Sequence, residues 1–251
     1  MAVLLSTLHD PDGKFARIKN AEKLVEGATA NYTKSVINIT KATSSRTKKL
    51  VSKRFECIYS GTGTMGEHMI SLMKHSRAKS NTFHYCDFDR LLHWQLHYPK
   101  ELRRTAGAIS KSKGFVFINR TRRAFESHPE TQKDTETVMN MLVSAYMGRR
   151  VDIGSGTFGF DRKACRKFAG IRGDVSELRF LGHFVACVKK SGMHVKCMNS
   201  EGMEWETPDV HRKEISRLGY GRWLSQFQSQ KEWARRVESL RQVAEILMDD
   251  F

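Results

Sequence analysis

Residues 84–90 read His84-Tyr85-Cys86-Asp87-Phe88-Asp89-Arg90, with two aspartates one residue apart. The run at 82–86 is aromatic-rich and reads as a strand. The stretch that follows sets Leu91, Trp94, Tyr98 and Leu102 on one helical stripe. Asp87 and Asp89 therefore stand where a strand passes into a helix. Asp89 can be read as the cap of that helix, accepting from its first free N–H groups. That reading leaves Asp87 at the strand end without a role. Two carboxylates there suit a hard divalent cation, which takes oxygen ligands and bridges to phosphate oxygens.

Working outward, short apolar runs at 2–7, 35–40, 55–59, 114–119 and 194–198 share the character of 82–86. Helical periods lie between and after them, at 16–32, 67–76, 91–105, 131–147, 178–189 and 232–248. This alternation predicts an α/β fold, a mostly parallel central sheet with helices on both faces. Ligands of such sheets gather beyond the carboxyl ends of the strands. The residues there are His9 and Asp10, the 61–66 turn, Asp87 and Asp89, and 119–123.

The chain has 251 residues, 39% apolar and 28% charged, and only 4 prolines with no linker-like stretch. That is the composition of a single folded domain rather than a disordered chain. Lys and Arg number 43 against 27 Asp and Glu, a net charge of +16 at pH 7. Such a field attracts anions: nucleic acid, an acidic membrane surface or a phosphorylated small molecule. The densest basic run, 41–54, contains no acid and reads as a solvated helix face or an anion-binding surface. The five cysteines are scattered without a CxxC pair, which supports neither a disulfide framework nor a structural zinc site. No apolar run approaches the roughly 20 residues that cross a bilayer. The chain reads as cytoplasmic, with at most peripheral membrane contact.

Residues 61–66, Gly61-Thr62-Gly63-Thr64-Met65-Gly66, spell GxGxxG after a strand and before a helix. Such glycines let backbone approach a pyrophosphate. They support the alternative of an NAD(P)-binding oxidoreductase, although the turn follows the third strand and the nearest strand-end acid, Asp87, is 87 − 61 = 26 positions on. Residues 151–164 hold three glycines ahead of a helix, read as close backbone approach or a bulge. Asp174 and Glu177, three apart before an apolar helix, are each candidates for a general base or a helix cap. Arg120 and Arg122 follow a strand and are candidates for holding phosphate oxygens.

Taken in order, these motifs resemble the GT-A fold nucleotide-diphospho-sugar transferases. The resemblance spans about residues 80–215 and indicates no specific family. It implies a Rossmann-like GT-A architecture with a nucleotide-binding half at 1–90, an acceptor-side half at 91–231 and a C-terminal helix at 232–251. It implies that Asp87, Asp89 and His211 hold Mg²⁺ or Mn²⁺. His9, Asp10, Gly61, Gly63, Asp87 and Arg120 would face the nucleotide-diphospho-sugar donor, and Gly154 to Arg162 the acceptor side. Asp174 or Glu177 would deprotonate a hydroxyl acceptor, which the positive charge suits to being phosphorylated. The expected function is metal-dependent glycosyl transfer. A non-catalytic nucleic-acid-binding protein is a second alternative.

Overall fold

The computed structural model describes residues 1–61 and 63–249. Its strands are β1 (Val3–Leu8), β2 (Lys34–Thr40), β3 (Glu56–Ser60), β4 (Thr82–Cys86), β5 (Phe115–Arg120), β6 (Thr157–Asp161) and β7 (Val195–Ser200). They form one sheet in the order β3-β2-β1-β4-β6-β5-β7. Adjacent strands are parallel except at β6, which runs antiparallel to both β4 and β5. The helices are α1 (Ala21–Thr29), α2 (Ser45–Ser52), α3 (Met65–Ser76), α4 (Phe88–His97), α5 (Pro99–Ile109), α6 (Arg122–Glu126) and α7 (Glu130–Met147). They continue with α8 (Arg162–Ala169), α9 (Arg179–Lys190), α10 (Thr207–Val210), α11 (Arg212–Leu218), α12 (Tyr220–Leu224) and α13 (Gln230–Met248).

Strand alternation divides the core between the two sheet faces. Val3, Leu5, Phe83, Tyr85, Phe115, Phe117, Phe158 and Phe160 point to one side, against α3, α7, α8, α9 and α13. Ala2, Leu4, Leu8, Cys86, Val116 and Ile118 point to the other, against α1, α4 and α5. The first side is an aromatic stack: the rings of Tyr85 and Phe158 lie 5.0 Å apart, those of Phe168 and Phe184 4.4 Å. Burying both faces explains why β1, β4 and β5 read as largely continuous apolar runs.

The structure departs from the sequence reading in several places. Residues 157–161 form the central strand β6 rather than a bulge: Phe158 and Phe160 fill the core, and a Cβ on Gly159 would sit 2.9 Å from Ile109 Cγ1. The expected 91–105 helix is two helices, α4 and α5, with Pro99 opening the second. Proline forces the residue before it out of helical geometry, and Tyr98 sits at φ −134°, ψ 51°. The helix expected over 16–32 begins at Ala21, after a 3₁₀ turn at Phe15–Arg17. Within the basic run, α2 turns Thr47, Leu50 and Val51 inward, while Lys53 and Arg54 beyond its end pair with Glu22 and Glu26 of α1. Among the described residues, no helix is long and apolar enough to cross a membrane.

Candidate functional site

The site lies beyond the carboxyl ends of β1 and β4. Tyr85, the last inward residue of β4 before Asp87, carries its hydroxyl to that rim. The hydroxyl lies 2.7 Å from Thr7 Oγ1 of β1 and donates to Asp87 Oδ1, fixing the carboxylate rotamer. The Asp87 N–H donates to the Gly156 carbonyl at 3.0 Å. Gly156 has φ +67°, and a Cβ there would lie 2.5 Å from both Asp87 Oδ2 and Arg90 Nε. Only glycine lets this loop close over the aspartate. Gly154 is equally confined, because its Cβ would reach 2.5 Å from Glu136 Oε2.

Asp89 lies in the first turn of α4, where the helix dipole favours a carboxylate. Both aspartates line the cleft, and both carboxyls are held above their ordinary range. Burial is the main cause for each; Glu206 adds to it, as does Asp87 for Asp89, against the opposing charge of Arg90. Arg90 Nη1 faces Glu206 Oε2 at 3.3 Å, and neither atom has a hydrogen bond. Three carboxylates thus share one guanidinium, a surplus of hard oxygen donors and negative charge. That donor set fits a divalent cation such as Mg²⁺ or Mn²⁺.

Three depressions converge here. One, of about 400 Å³, is lined by Thr7, His9, Gly63, His68, Asp87, Asp89 and Glu177. A second, of about 460 Å³, is lined by Tyr85, Asp87, Gly156, Glu177, Arg235 and Arg236, among others. A third, of about 340 Å³, holds Asp89, His93, Glu206, Asp209 and His211, and shares His9 with the first. Asp87, Glu177 and Met65 belong to both of the first two. Glu177 is exposed and sits at φ +45°, a conformation that non-glycine residues rarely hold and that concentrates at functional sites.

Several expected residues fall elsewhere or do other work. Asp174 is exposed, accepts from Ser176 N at 2.8 Å and pairs with Arg179 in a separate depression. Helix α9 starts only at Arg179 and Gly173 takes φ +96°, so Asp174 and Glu177 do not share a helical face. Asp10 is buried and both its oxygens are engaged: Oδ1 accepts from Lys14 N, Oδ2 from Phe15 N and the Thr47 hydroxyl. It orders the loop after β1. Arg120 is held by carboxylates. Its side chain is fully buried, donating from Nε and Nη2 to Asp152 at 2.7 Å and from Nη2 to Glu136 at 2.5 Å. His9 is exposed and lines the first depression, its Nδ1 2.9 Å from Thr40 Oγ1.

Of the glycine turn, Thr62 lies outside the described residues. Gly63 lines the cleft, a Cβ on Gly61 would meet nothing within 4 Å, and Gly66 seats α3 under the Val175 carbonyl, which a Cβ would strike at 1.7 Å. The turn follows β3, at the sheet edge, and opens α3 through a Thr64–Glu67 capping box. A dinucleotide turn belongs instead beside the switch in strand order. The sequence reading missed Glu206, Arg235 and Arg236, which approach from distant elements. It also missed His93 and His97, whose four-residue spacing on one helix was a readable signal.

No family model matches the chain, and no curated protein matches it. Solved structures do. Glucosyl-3-phosphoglycerate synthase from Mycobacterium tuberculosis, in complex with Mg²⁺ and uridine diphosphate, aligns at TM-score 0.54 and 10% identity. That alignment covers 90% of this chain and 78% of that one. A nucleotidyl transferase from Methanothermobacter aligns at TM-score 0.51 and 8% identity, over 86% of this chain and 96% of that one. A mycobacterial protein aligns at 0.56 and 10%, over 79% and 65%. At such identities the likeness speaks for the fold, and the fold is of the GT-A type expected from the sequence.

Proposed function

We propose that this protein is a glycosyltransferase that moves a sugar from a nucleotide-diphosphate donor to a hydroxyl acceptor, with Mg²⁺ or Mn²⁺ as its cofactor. The observation that carries the reading is the junction of two depressions at Asp87 and Glu177. A transferase needs donor and acceptor sites that meet at the reacting bond. The structural neighbours solved with uridine diphosphate and a divalent ion support it.

Asp87 and Asp89, with Glu206 or His211 alongside, would hold the cation. When bound, the ion neutralises charge on the departing nucleoside diphosphate. The Tyr85 hydroxyl keeps Asp87 aimed into the cleft, and burial together with Asp87 itself holds that phenol protonated. His9 and Gly63 form the wall available to the nucleotide, consistent with residues 1–90 as the nucleotide half. Residues 91–231 then supply the acceptor side. Arg235 and Arg236, from the C-terminal helix in 232–251, line the second depression while paired with Glu232, and would serve an anionic acceptor by exchanging that carboxylate for it. Glu177 is the base that would take the acceptor proton in an inverting reaction.

The test is incubation of the protein with UDP-, GDP- and CMP-sugars, with and without Mn²⁺, following folded-state stabilisation and the released nucleotide. Stabilisation by one nucleotide sugar only with Mn²⁺, lost in Asp87→Asn, supports the proposal. Release of pyrophosphate would identify nucleotidyl transfer instead. Stabilisation by NAD(P) without metal, or by RNA alone, would overturn it.

A further inference from the structure

Helix α4 carries His93 and His97 one turn apart, and α10 brings Asp209 against both. His93 Nδ1 lies 2.7 Å from Asp209 Oδ2, and His97 Nε2 lies 3.3 Å from Asp209 Oδ1. The imidazole centroids are 4.5 Å apart, and one ligand atom from each of the three residues falls within 4.8 Å of the others. His93 is 5% exposed. Its second nitrogen, Nε2, stands 3.3 Å from Glu204 Oε1 without a well-aligned hydrogen bond. Arg212 Nη2 reaches Asp209 Oδ1 at 3.1 Å, and its side chain is 62% exposed, free to swing away.

We propose that His93, His97 and Asp209 form a second metal site, for a transition ion of the zinc class. Two imidazoles and one carboxylate are a ligand set that zinc takes and that Mg²⁺ does not seek. Carboxylates face both nitrogens of His93, an arrangement that suits either an imidazolium or a neutral ring with its one N–H on one side and a cation on the other. With an ion at Nδ1, Nε2–H points to Glu204, and Nδ1 offers its lone pair beside Asp209. A carboxylate behind a metal-bound histidine is the usual outer partner, and it fixes the tautomer. The exposed edge at His97 leaves the fourth position to water. The ion ties α4, whose first turn bears Asp89, to the segment bearing Glu206 and His211, and so braces the cleft without taking part in transfer.

The experiment is Zn²⁺ binding by the full chain after chelator treatment, with Mg²⁺ in excess to occupy the carboxylate site. One equivalent is expected to be retained by the unaltered protein and by Asp87→Asn. His97→Ala should weaken binding by more than tenfold, and Glu204→Gln by roughly 10–100-fold. The His97 side chain is 38% exposed, so this variant keeps its fold, as far-UV circular dichroism would verify. Co²⁺ in place of Zn²⁺ should give visible d–d bands that His97→Ala and Asp209→Asn each abolish. No retained Zn²⁺, or retention that survives His97→Ala and disappears in Asp87→Asn, would overturn the proposal.

Discussion

Arg120→Met separates a structural arginine from a phosphate ligand. Arg120 donates to Asp152 from its backbone N–H at 3.0 Å and from its guanidinium at 2.7 Å, and to Glu136 at 2.5 Å. Its side chain is wholly buried, and those of both carboxylates are 10% exposed. Methionine matches the length but leaves Asp152 beside the Asn140 amide, and Glu136 beside Gln132 with the Arg236 guanidinium at 3.7 Å. Removing one side of a buried ion pair costs about 3–5 kcal/mol, because the remaining charge stays desolvated. For a chain of this size that corresponds to a fall in Tm of about 6–20 °C. The assay is urea unfolding with donor titration on the same preparation. Adding Glu136→Gln and Asp152→Asn should recover part of the loss, since the uncompensated charges disappear. Stability within about 1 kcal/mol of the parent, together with a tenfold loss of donor affinity, would refute the reasoning and return Arg120 to the phosphate site.

Gly156→Ala should destabilise the protein by about 1–2 kcal/mol from backbone strain alone, and weaken metal-dependent donor binding as the loop lifts from Asp87; an unchanged metal titration would count against it. Glu177→Gln should cut turnover by about 10²–10⁴-fold at unaltered stability, whereas Glu177→Gly should match that loss and raise the unfolding midpoint, because it relieves the positive φ. Burial holds His84 down to about 3, and burial with Arg120 and Arg90 holds His128 down to about 2. Unfolded, each titrates near 6.5, so the two contribute full stability above that pH and lose it below. Between roughly pH 6 and 3 these two groups alone give a fall approaching about 2.7 kcal/mol per pH unit, and Asp87 and Asp89, held above their ordinary range, bind protons in the folded state and offset part of it down to about pH 4. Urea midpoints from pH 7 to 4 check this, and His84→Gln should remove about 1.4 kcal/mol per pH unit from the slope of the parent.

Local signals gave much of the sheet: β1, β2, β4 and β5 are β-favouring runs whose two sets of alternate residues are both largely buried, while the edge strands β3 and β7, only partly covered, still announced themselves through Ile58 and Tyr59 and through Val195 and Met198. Residues 157–161 were misread because two glycines at 156 and 159 mimic a loop. Their reason is non-local, since Ile109 and the Asp87–Arg90 pair occupy the space of their missing side chains. The strand-end aspartates were visible as a pair, and Glu177 as an acid ahead of a helix. Asp174 looked equivalent because the positive φ values at 173 and 177, which turn it outward, leave no periodic trace. Glu206, Arg235 and Arg236 reach the cleft only through tertiary packing, which spacing along the chain cannot reveal.

The reversed strand β6 is also the seam of the sheet. Strands β3, β2, β1 and β4 form one pleated unit and β5 with β7 another; β4 and β5 do not pair with each other. Five residues, 157–161, join them. During synthesis the first unit can form from the first 86 residues, but it meets the second only after residue 161 has emerged. Partners across β4 and β6 lie 71 to 79 residues apart, against 31 for β1 and β2, so closing that loop costs more entropy before its contacts form and β6 joins after the local pair. The loop leading into β6 carries Gly154 and Gly156, so the same step that zips the sheet sets the wall against Asp87. In pulsed hydrogen exchange, amides of β1 and β2 should gain protection before those of β6, and the cleft should acquire its binding competence no earlier than β6.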